Sequence, residues 1–179
     1  MPVKWRKVVE SGEPTGDGDP PRVDRFTRAI DVRSGGSVFT GEYRHAVDDK
    51  GRLAVPSRFR AQLAGSVVIA RWMDTCLAMF PMPAWDELAA KVGSLPMTDP
   101  NARLLQRQLF AGAFETELDR QGRVLLPQGL RSFAGLEGEA LVLGSRDHAE
   151  IWAPDRWAEY SRSLEDPDAF ARAIAGLGI

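Results

Sequence analysis

A stretch of about twenty residues occurs twice in this chain, at an offset of 71 positions. The first copy runs from Gly41 to Arg60 and the second from Gly112 to Arg131. An internal repeat constrains the fold before any other feature, because each copy must form the same supersecondary unit. Six positions are identical at this offset: Gly41/Gly112, Asp48/Asp119, Gly51/Gly122, Arg52/Arg123, Pro56/Pro127 and Arg60/Arg131.

Each copy predicts a strand, a tight turn, a return strand, a proline and a helix. The turn has the pattern Asp-x-x-Gly-Arg, in which Asp can bond the backbone two residues on and Gly accepts a positive φ. Pro56 and its equivalent close the return strand and suit the first turn of a helix. We therefore expect short helices over residues 57–63 and 128–133.

The repeat continues beyond the motif. Two further predicted strands follow in each copy, over 67–70 and 77–80 and again over 140–143 and 149–152, and each pair precedes a tryptophan-bearing helix. The pattern predicts an α+β fold with duplicated β-β-α-β-β-α units. The expected boundaries are 38–85 for the first repeat, 86–111 for a helical linker, 112–157 for the second repeat and 158–179 for a helical tail.

The Asp-x-x-x-Arg pair of each turn has two compatible interpretations. The carboxylate can bridge to the arginine and fix the shape of the turn, or the turn can present a basic tip to a phosphate or a base edge. Charge separates the copies: residues 41–63 hold five basic and three acidic side chains, whereas residues 112–134 hold three of each. If only one copy faces an anion, the first is therefore favoured.

These motifs resemble those of the MraZ family, bacterial regulators of the division and cell wall gene cluster. The resemblance is carried by residues 39–43, 48–53 and 56–60 and by 119–123 with Pro127, and it covers roughly residues 38–160. It implies a double SpoVT-AbrB-type barrel of the swapped-hairpin kind, in which one chain is a fused pseudo-dimer. It also implies a ring-shaped, octamer-like homo-oligomer.

The resemblance further implies sequence-specific binding to double-stranded promoter DNA with repeated boxes, including the promoter of its own gene. It also implies transcriptional regulation, usually repression, and association with the nucleoid. The DNA-contacting loops of the family map onto 48–52 and 119–123, with Arg52 expected as the chief contact. The candidate DNA-binding residues are Arg52, Lys50, Asp48, Gly51, Arg44, Arg58, Arg60, Asp119 and Arg123.

The amino-acid composition limits how this chain could bind DNA and where it could be located. The net charge is −2 and the isoelectric point is near 5.8, whereas a domain that binds nucleic acid through its overall charge is usually basic. DNA binding therefore requires positive charge that is concentrated locally and multiplied by oligomerisation. The single Cys76 excludes an intramolecular disulfide and is expected to be a buried apolar residue. No signal peptide or membrane span is predicted, and a cytoplasmic location is expected.

No catalytic motif is present: the chain has no phosphate-binding P-loop, no His-Glu-x-x-His and no Gly-x-Ser-x-Gly. His45 and His148 match no metal-ligand spacing and are expected at the surface. We therefore predict no enzyme activity, no metal, no cofactor and no small-molecule substrate. The alternative function is a ring-shaped scaffold that binds a partner protein, or regulates a partner enzyme, without contacting DNA.

Residues 1–37 differ in composition from the rest, since they are rich in glycine, proline and mixed charge and are expected to be disordered. Members of the family usually begin near Phe39, and Val38 stands where they have their initiator. An internal GTG start codon would account for this, so residues 1–37 are either a mis-called extension or a genuine tail. The intact mass of the native protein distinguishes the two.

Overall fold

The structure is a computed structural model that describes residues 38–177, so both hypotheses about residues 1–37 lie outside the described part. The chain is α+β, with two copies of one order of elements. The strands are β1 (Glu42–Ala46), β2 (Arg52–Ala54), β3 (Ser66–Arg71), β4 (Leu77–Pro81), β5 (Phe114–Glu117), β6 (Arg123–Leu125), β7 (Glu139–Ser145) and β8 (His148–Trp152). The helices are α1 (Ser57–Arg60), α2 (Met82–Gly93), α3 (Pro100–Ala111), α4 (Gln128–Ala134), α5 (Pro154–Leu164) and α6 (Pro167–Leu177).

The strands of the two copies are interleaved in one antiparallel sheet, in the order β1-β7-β8-β4-β3-β5. The first strand of each copy pairs with the third strand of the other copy, so β1 lies beside β7 and β5 lies beside β3. The two halves join where β4 pairs with β8. Each half therefore depends on the other for its sheet, as expected of two units that fold as one.

The Asp-x-x-Gly-Arg turns do not close local hairpins. After a single bridge between Val47 and Leu53, β2 leaves its own copy and pairs with β6. This two-stranded antiparallel ladder, β2–β6, pairs Arg52 with Leu125 and Ala54 with Arg123. The ladder thus brings the two turns, which are 71 residues apart in sequence, to opposite ends of one short ribbon.

The main core lies between one face of the large sheet and the β2–β6 ladder with α1 and α4. Alternate residues of each strand point into it because successive side chains of a strand face opposite sides. Its largest fully buried members come from both copies: Phe39, Phe59, Leu53, Leu63, Ile69, Leu77, Met79, Leu126 and Ile151. The ladder is therefore fixed on its inner side by the common core.

Helices α2, α3 and α5 cover the opposite face of the sheet. Val92 of α2 and Leu109 of α3 pack on Ala70, while Trp157 of α5 packs against Trp152. Asp99 caps α3 by accepting a hydrogen bond of 2.8 Å from the Asn101 amide, as expected for an Asp-Pro pair at a helix start. None of the helices among residues 38–177 is long and apolar enough to cross a bilayer.

The expectation that the two histidines lie at the surface is wrong. His45 on β1 and His148 on β8 are both buried. The His148 ring stacks on Phe80 with centroids 4.8 Å apart, and its Nδ1 lies 2.7 Å from Asp147 Oδ1. Cys76 is buried, as predicted, and burial raises the pKa of its thiol above the usual range.

Candidate nucleic-acid interface

The first turn is closed by the side chain of its aspartate. Asp48 Oδ1 accepts hydrogen bonds from the backbone amides of Lys50, at 3.0 Å, and Arg52, at 2.9 Å. The Gly51 amide also donates to the Asp48 carbonyl at 2.8 Å, and Gly51 adopts a φ of +77°. The sequence folds this way because Asp supplies a local acceptor and Gly tolerates the left-handed conformation.

The second turn repeats this geometry. Asp119 Oδ1 accepts from the amides of Gln121, at 2.9 Å, and Arg123, at 3.0 Å, and Gly122 adopts a φ of +73°. The Gly122 amide donates to the Asp119 carbonyl at 2.8 Å. The two copies of the motif therefore build the same turn, hydrogen bond for hydrogen bond.

Each aspartate also holds the arginine that ends its turn. Arg52 donates from Nε to Asp48 Oδ2 at 2.7 Å, and its Nη2 lies 2.7 Å from the same oxygen. Arg123 binds Asp119 Oδ2 in the same way, at 2.9 and 2.7 Å. Hydrogen bonds from Arg52 lower the pKa of Asp48 to about 2, and those from Arg123 lower the pKa of Asp119. Both carboxylates are therefore ionised and committed to bracing the turns.

The register of the β2–β6 ladder puts both arginines on one side. Residues directly opposite each other in an antiparallel pair share a face, and so do residues two apart in one strand. Arg52, Ala54, Arg123 and Leu125 consequently form the outer face of the ladder, while Leu53 and Val124 are fully buried on the inner side. Arg123 Nη1 lies 3.6 Å from Asp48 Oδ2, so the two turns also touch electrostatically.

A second pair of arginines supports the turns from the helices. Arg60 Nε donates to the Val55 carbonyl at 2.9 Å, and this guanidinium packs against Gly122 of the other copy. Arg131 Nε likewise donates to the Leu126 carbonyl at 3.1 Å and packs against Gly51. The site prediction included Arg60 but missed Arg131, although the identity of the two positions at the repeat offset was a sufficient signal.

The other candidate side chains lie around this centre. Lys50 is exposed at the tip of the first turn, and Arg58 is exposed on α1; within residues 38–177 neither side chain forms a hydrogen bond or ion pair. Arg44 is different, because it lies on β1 and pairs with Glu139 at 3.0 Å. The structure thus groups most of the predicted residues and places Arg44 on a neighbouring strand.

Positive charge is concentrated around the β2–β6 ladder. Residues 48–60 and 119–131 together carry seven basic and three acidic side chains, a net charge of +4 in a chain whose total is −2. No set of three or more His, Cys, Asp and Glu side chains within residues 38–177 is arranged to bind a metal ion. The arrangement suits contact with an extended anion, such as a nucleic acid backbone.

Comparison with known proteins gives a consistent result. The family model described as "MraZ protein, putative antitoxin-like" matches twice, over residues 38–108 and 109–175. A protein of Thermomicrobium roseum named "Transcriptional regulator MraZ" is 50% identical over 142 residues, covering 78% of this chain and 99% of the relative. A protein of the same name from Roseiflexus sp. strain RS-1 is 50% identical over 141 residues, which cover 78% of this chain and 99% of the relative. Another from Moorella thermoacetica is 49% identical over 143 residues, which cover 79% of this chain and 100% of the relative. The chain belongs to the MraZ family.

Proposed function

We propose that the chain is a sequence-specific DNA-binding transcription regulator and that the outer face of the β2–β6 ladder contacts the DNA. The observation that carries this proposal is the pairing of two braced arginines on one solvent-facing ribbon. The relatives are named transcriptional regulators, and the net charge of +4 around the ladder supplies the local positive charge that an acidic chain needs. A binding function, not catalysis, fits these features.

The ribbon has dimensions that suit the major groove. A two-stranded β-ribbon fits into this groove, which is about 12 Å wide in B-DNA. Asp48 binds Nε and Nη2 of Arg52, so the Nη1 amino group is left to reach a base or a phosphate. An arginine that is already held in position loses less conformational freedom on binding. Arg52 is the chief contact in this proposal, because it belongs to the more basic first copy, residues 41–63, in which Lys50 and Arg58 are also exposed.

The supporting contacts follow from position. Lys50 and Arg58 are exposed beside the ladder and are suited to phosphates, which fix register and orientation without reading sequence. Arg123 is braced by Asp119 in the second turn, but its Nη1 also lies 3.6 Å from Asp48 Oδ2, so it is a supporting contact that would have to leave Asp48 to reach DNA through that group. Arg44 would have to leave Glu139 to reach the backbone of the DNA. Arg60, Gly51, Gly122, Asp48 and Asp119 contribute by holding the turns in shape.

We extend the proposal to fold and assembly. The exchange of β1 and β5 and the pairing of β2 with β6 support a swapped-hairpin barrel of the SpoVT-AbrB type. Large apolar side chains remain exposed on α3 and on the C-terminal helices, and this supports a ring-shaped homo-oligomer in which the helices of adjacent copies pack together. The exposed residues are Leu104, Leu105 and Phe110 on α3 and Tyr160, Leu164, Phe170 and Leu177 on α5 and α6. A ring would multiply weak contacts when its subunit spacing matches the spacing of the DNA boxes.

The proposed target is the promoter of the division and cell wall gene cluster, including its own gene, with repeated boxes and repression as the outcome. The expected location is the cytoplasm, in association with the nucleoid. These finer points rest on the resemblance to the MraZ family and not on the geometry of the ladder.

A gel shift with the full chain tests the proposal directly. The probes are the DNA upstream of its own gene and a scrambled duplex of equal length and composition, each titrated at several salt concentrations. The proposal predicts preferential binding of the upstream DNA, with log affinity falling linearly as log salt rises. Equal binding to both probes would refute the sequence specificity of the proposed binding. A ring that retards neither probe would favour the protein-binding scaffold instead.

A further inference from the structure

Leu125 is an exposed leucine between two arginines. It is the last residue of β6, at the end of the ladder beside the first turn, and 42% of its surface is exposed, whereas its neighbours Val124 and Leu126 are fully buried. The ladder places Leu125 directly opposite Arg52 on the outer face. The core therefore does not account for this side chain, since the inward positions of β6 and of the segment that follows are filled by Val124 and Leu126.

The two halves of the outer face are not equivalent at this position. The residue that corresponds to Leu125 in the first copy is Ala54, which stands opposite Arg123. The arginines and the turns are repeated, but the apolar partner beside each arginine changes from one methyl group to an isobutyl group. The outer face thus has one large apolar contact, and that contact lies next to Arg52.

We infer that Leu125 reads the C5-methyl group of a thymine in the major groove, adjacent to the base contacted by Arg52. This inference rests on the proposed DNA-binding function and adds a specificity-determining residue to it. The major groove exposes one apolar group among the four bases, the methyl group of thymine, and apolar side chains contact it. An exposed leucine on the DNA-facing ribbon supplies the matching surface.

The spacing agrees with this assignment. Directly opposite residues of an antiparallel pair have Cβ atoms roughly 4.5–5.5 Å apart, and the bases of one strand are about 3.4 Å apart along the helix axis. Leu125 therefore falls one or two base steps from the base that Arg52 contacts. Leu125 carries no charge, so it should alter sequence preference without altering the number of phosphates neutralised.

The test compares thymine with uracil, which lacks only the C5-methyl group. A duplex is first selected from a random 30-base-pair library with the full-length chain, and it is then synthesised with thymine or with uracil at every thymine position. We expect the wild type to bind the uracil duplex about three- to fivefold more weakly, the loss that corresponds to one buried methyl group. Leu125→Ala should bind both duplexes equally, and Leu125→Met should retain part of the discrimination.

Leu95→Ala is the matched control, because Leu95 is also exposed, at 37%, and lies after α2, outside the ladder. This control should discriminate thymine from uracil as the wild type does. Equal discrimination by the wild type and Leu125→Ala, or none by the wild type, would overturn the inference and leave the proposed function standing. Failure of the wild type to bind DNA would overturn both. A changed oligomeric mass of Leu125→Ala in light scattering would assign the leucine to a subunit contact and also overturn the inference.

Discussion

The glycines of the two turns should tolerate substitution poorly. Gly51 and Gly122 both have a positive φ, and each packs against the arginine of the opposite copy. A Cβ atom added at Gly122 would lie 2.5 Å from Arg60 Nε, and one added at Gly51 would lie 2.8 Å from Arg131 Nε and 2.9 Å from the Leu126 carbonyl oxygen. Alanine at either position therefore adds a steric conflict to an unfavourable backbone conformation.

The chain contains glycines that separate these two effects. Gly138 has a φ of +71° but no atom within 4 Å of an added Cβ, so Gly138→Ala should cost only the left-handed conformation, about 1 kcal/mol. Gly129 lies in the first turn of α4 with open space and no positive φ, so Gly129→Ala should stabilise the chain by about 0.4–1 kcal/mol.

Alanine at either turn glycine should lower the free energy of unfolding more than alanine at Gly138 or Gly129 does. Gly122→Ala must also displace Arg60 from its hydrogen bond to the Val55 carbonyl, which adds about 1.5–3 kcal/mol because the donor is charged. The total is then about 2.5–4 kcal/mol. Gly51→Ala should cost at least as much, since the Leu126 carbonyl belongs to the backbone and cannot rotate away.

Chemical denaturation of the four variants at one protein concentration measures this series. The expected order of the free energy of unfolding is Gly129→Ala above wild type, then Gly138→Ala, then Gly122→Ala, with Gly51→Ala lowest or equal to Gly122→Ala. If Gly122→Ala and Gly51→Ala were no less stable than Gly138→Ala, the packing of the arginines against the turns would not matter, and the reasoning would be refuted.

Three further predictions concern ionisation and capping. Because Arg52 lowers the pKa of Asp48 to about 2, the stability contributed by this carboxylate is present above about pH 4 and lost as the pH falls towards 2. Asp48→Asn should therefore flatten the plot of melting temperature against pH in this range. An unchanged plot would contradict the prediction. Burial lowers the pKa of His148, but the carboxylates of Glu150 and Asp147 outweigh this effect, so the net shift of the pKa is upward. The stability that results is fully present below about pH 6.5 and is lost as the pH rises through the raised pKa. His148→Gln should remove this pH dependence of the melting temperature. Asp99→Ala should destabilise the chain by about 1 kcal/mol through loss of the α3 cap, and an unaltered melting temperature would argue against it.

The sequence predicted the local chemistry of the turns well. The Asp-x-x-Gly-Arg pattern specifies its own hydrogen bonds, because the aspartate, the glycine and the arginine all act within five residues. The bracing role of Asp48 and Asp119, proposed as one of two compatible roles, is what the hydrogen bonds show. Short-range chemistry of this kind needs no knowledge of the tertiary structure.

The pairing of strands was less accessible to reasoning from the residues alone. Two copies of one motif have the same apolar pattern, so β1 matches a partner in either copy equally well. The exchange of strands between the copies depends on the direction that the chain takes after each turn. The amino-acid composition does not encode that direction. The family resemblance implied swapped hairpins, and the interleaved order of the sheet is compatible with this implication.

Burial was also difficult to predict where the apolar pattern has no period. The segment Val124-Leu125-Leu126 contains three apolar residues in a row, and alternation alone cannot show that the middle one points outward. His148 was placed wrongly for a related reason. Its polarity suggested the surface, whereas the neighbouring carboxylates and the Phe80 ring provide partners for it inside the fold.

The most direct test of the central claim is the effect of Arg52→Ala on specific DNA binding. Arg146→Ala is the matched control, because Arg146 is exposed between β7 and β8 and its replacement removes the same charge outside the ladder and outside the helices proposed to pack in the ring. Fluorescence anisotropy with the upstream duplex and light scattering should be measured on the same samples. We predict that Arg52→Ala loses specific binding by at least about tenfold while the oligomeric mass is unchanged, and that Arg146→Ala binds as the wild type does. Wild-type affinity and specificity in Arg52→Ala would contradict the account.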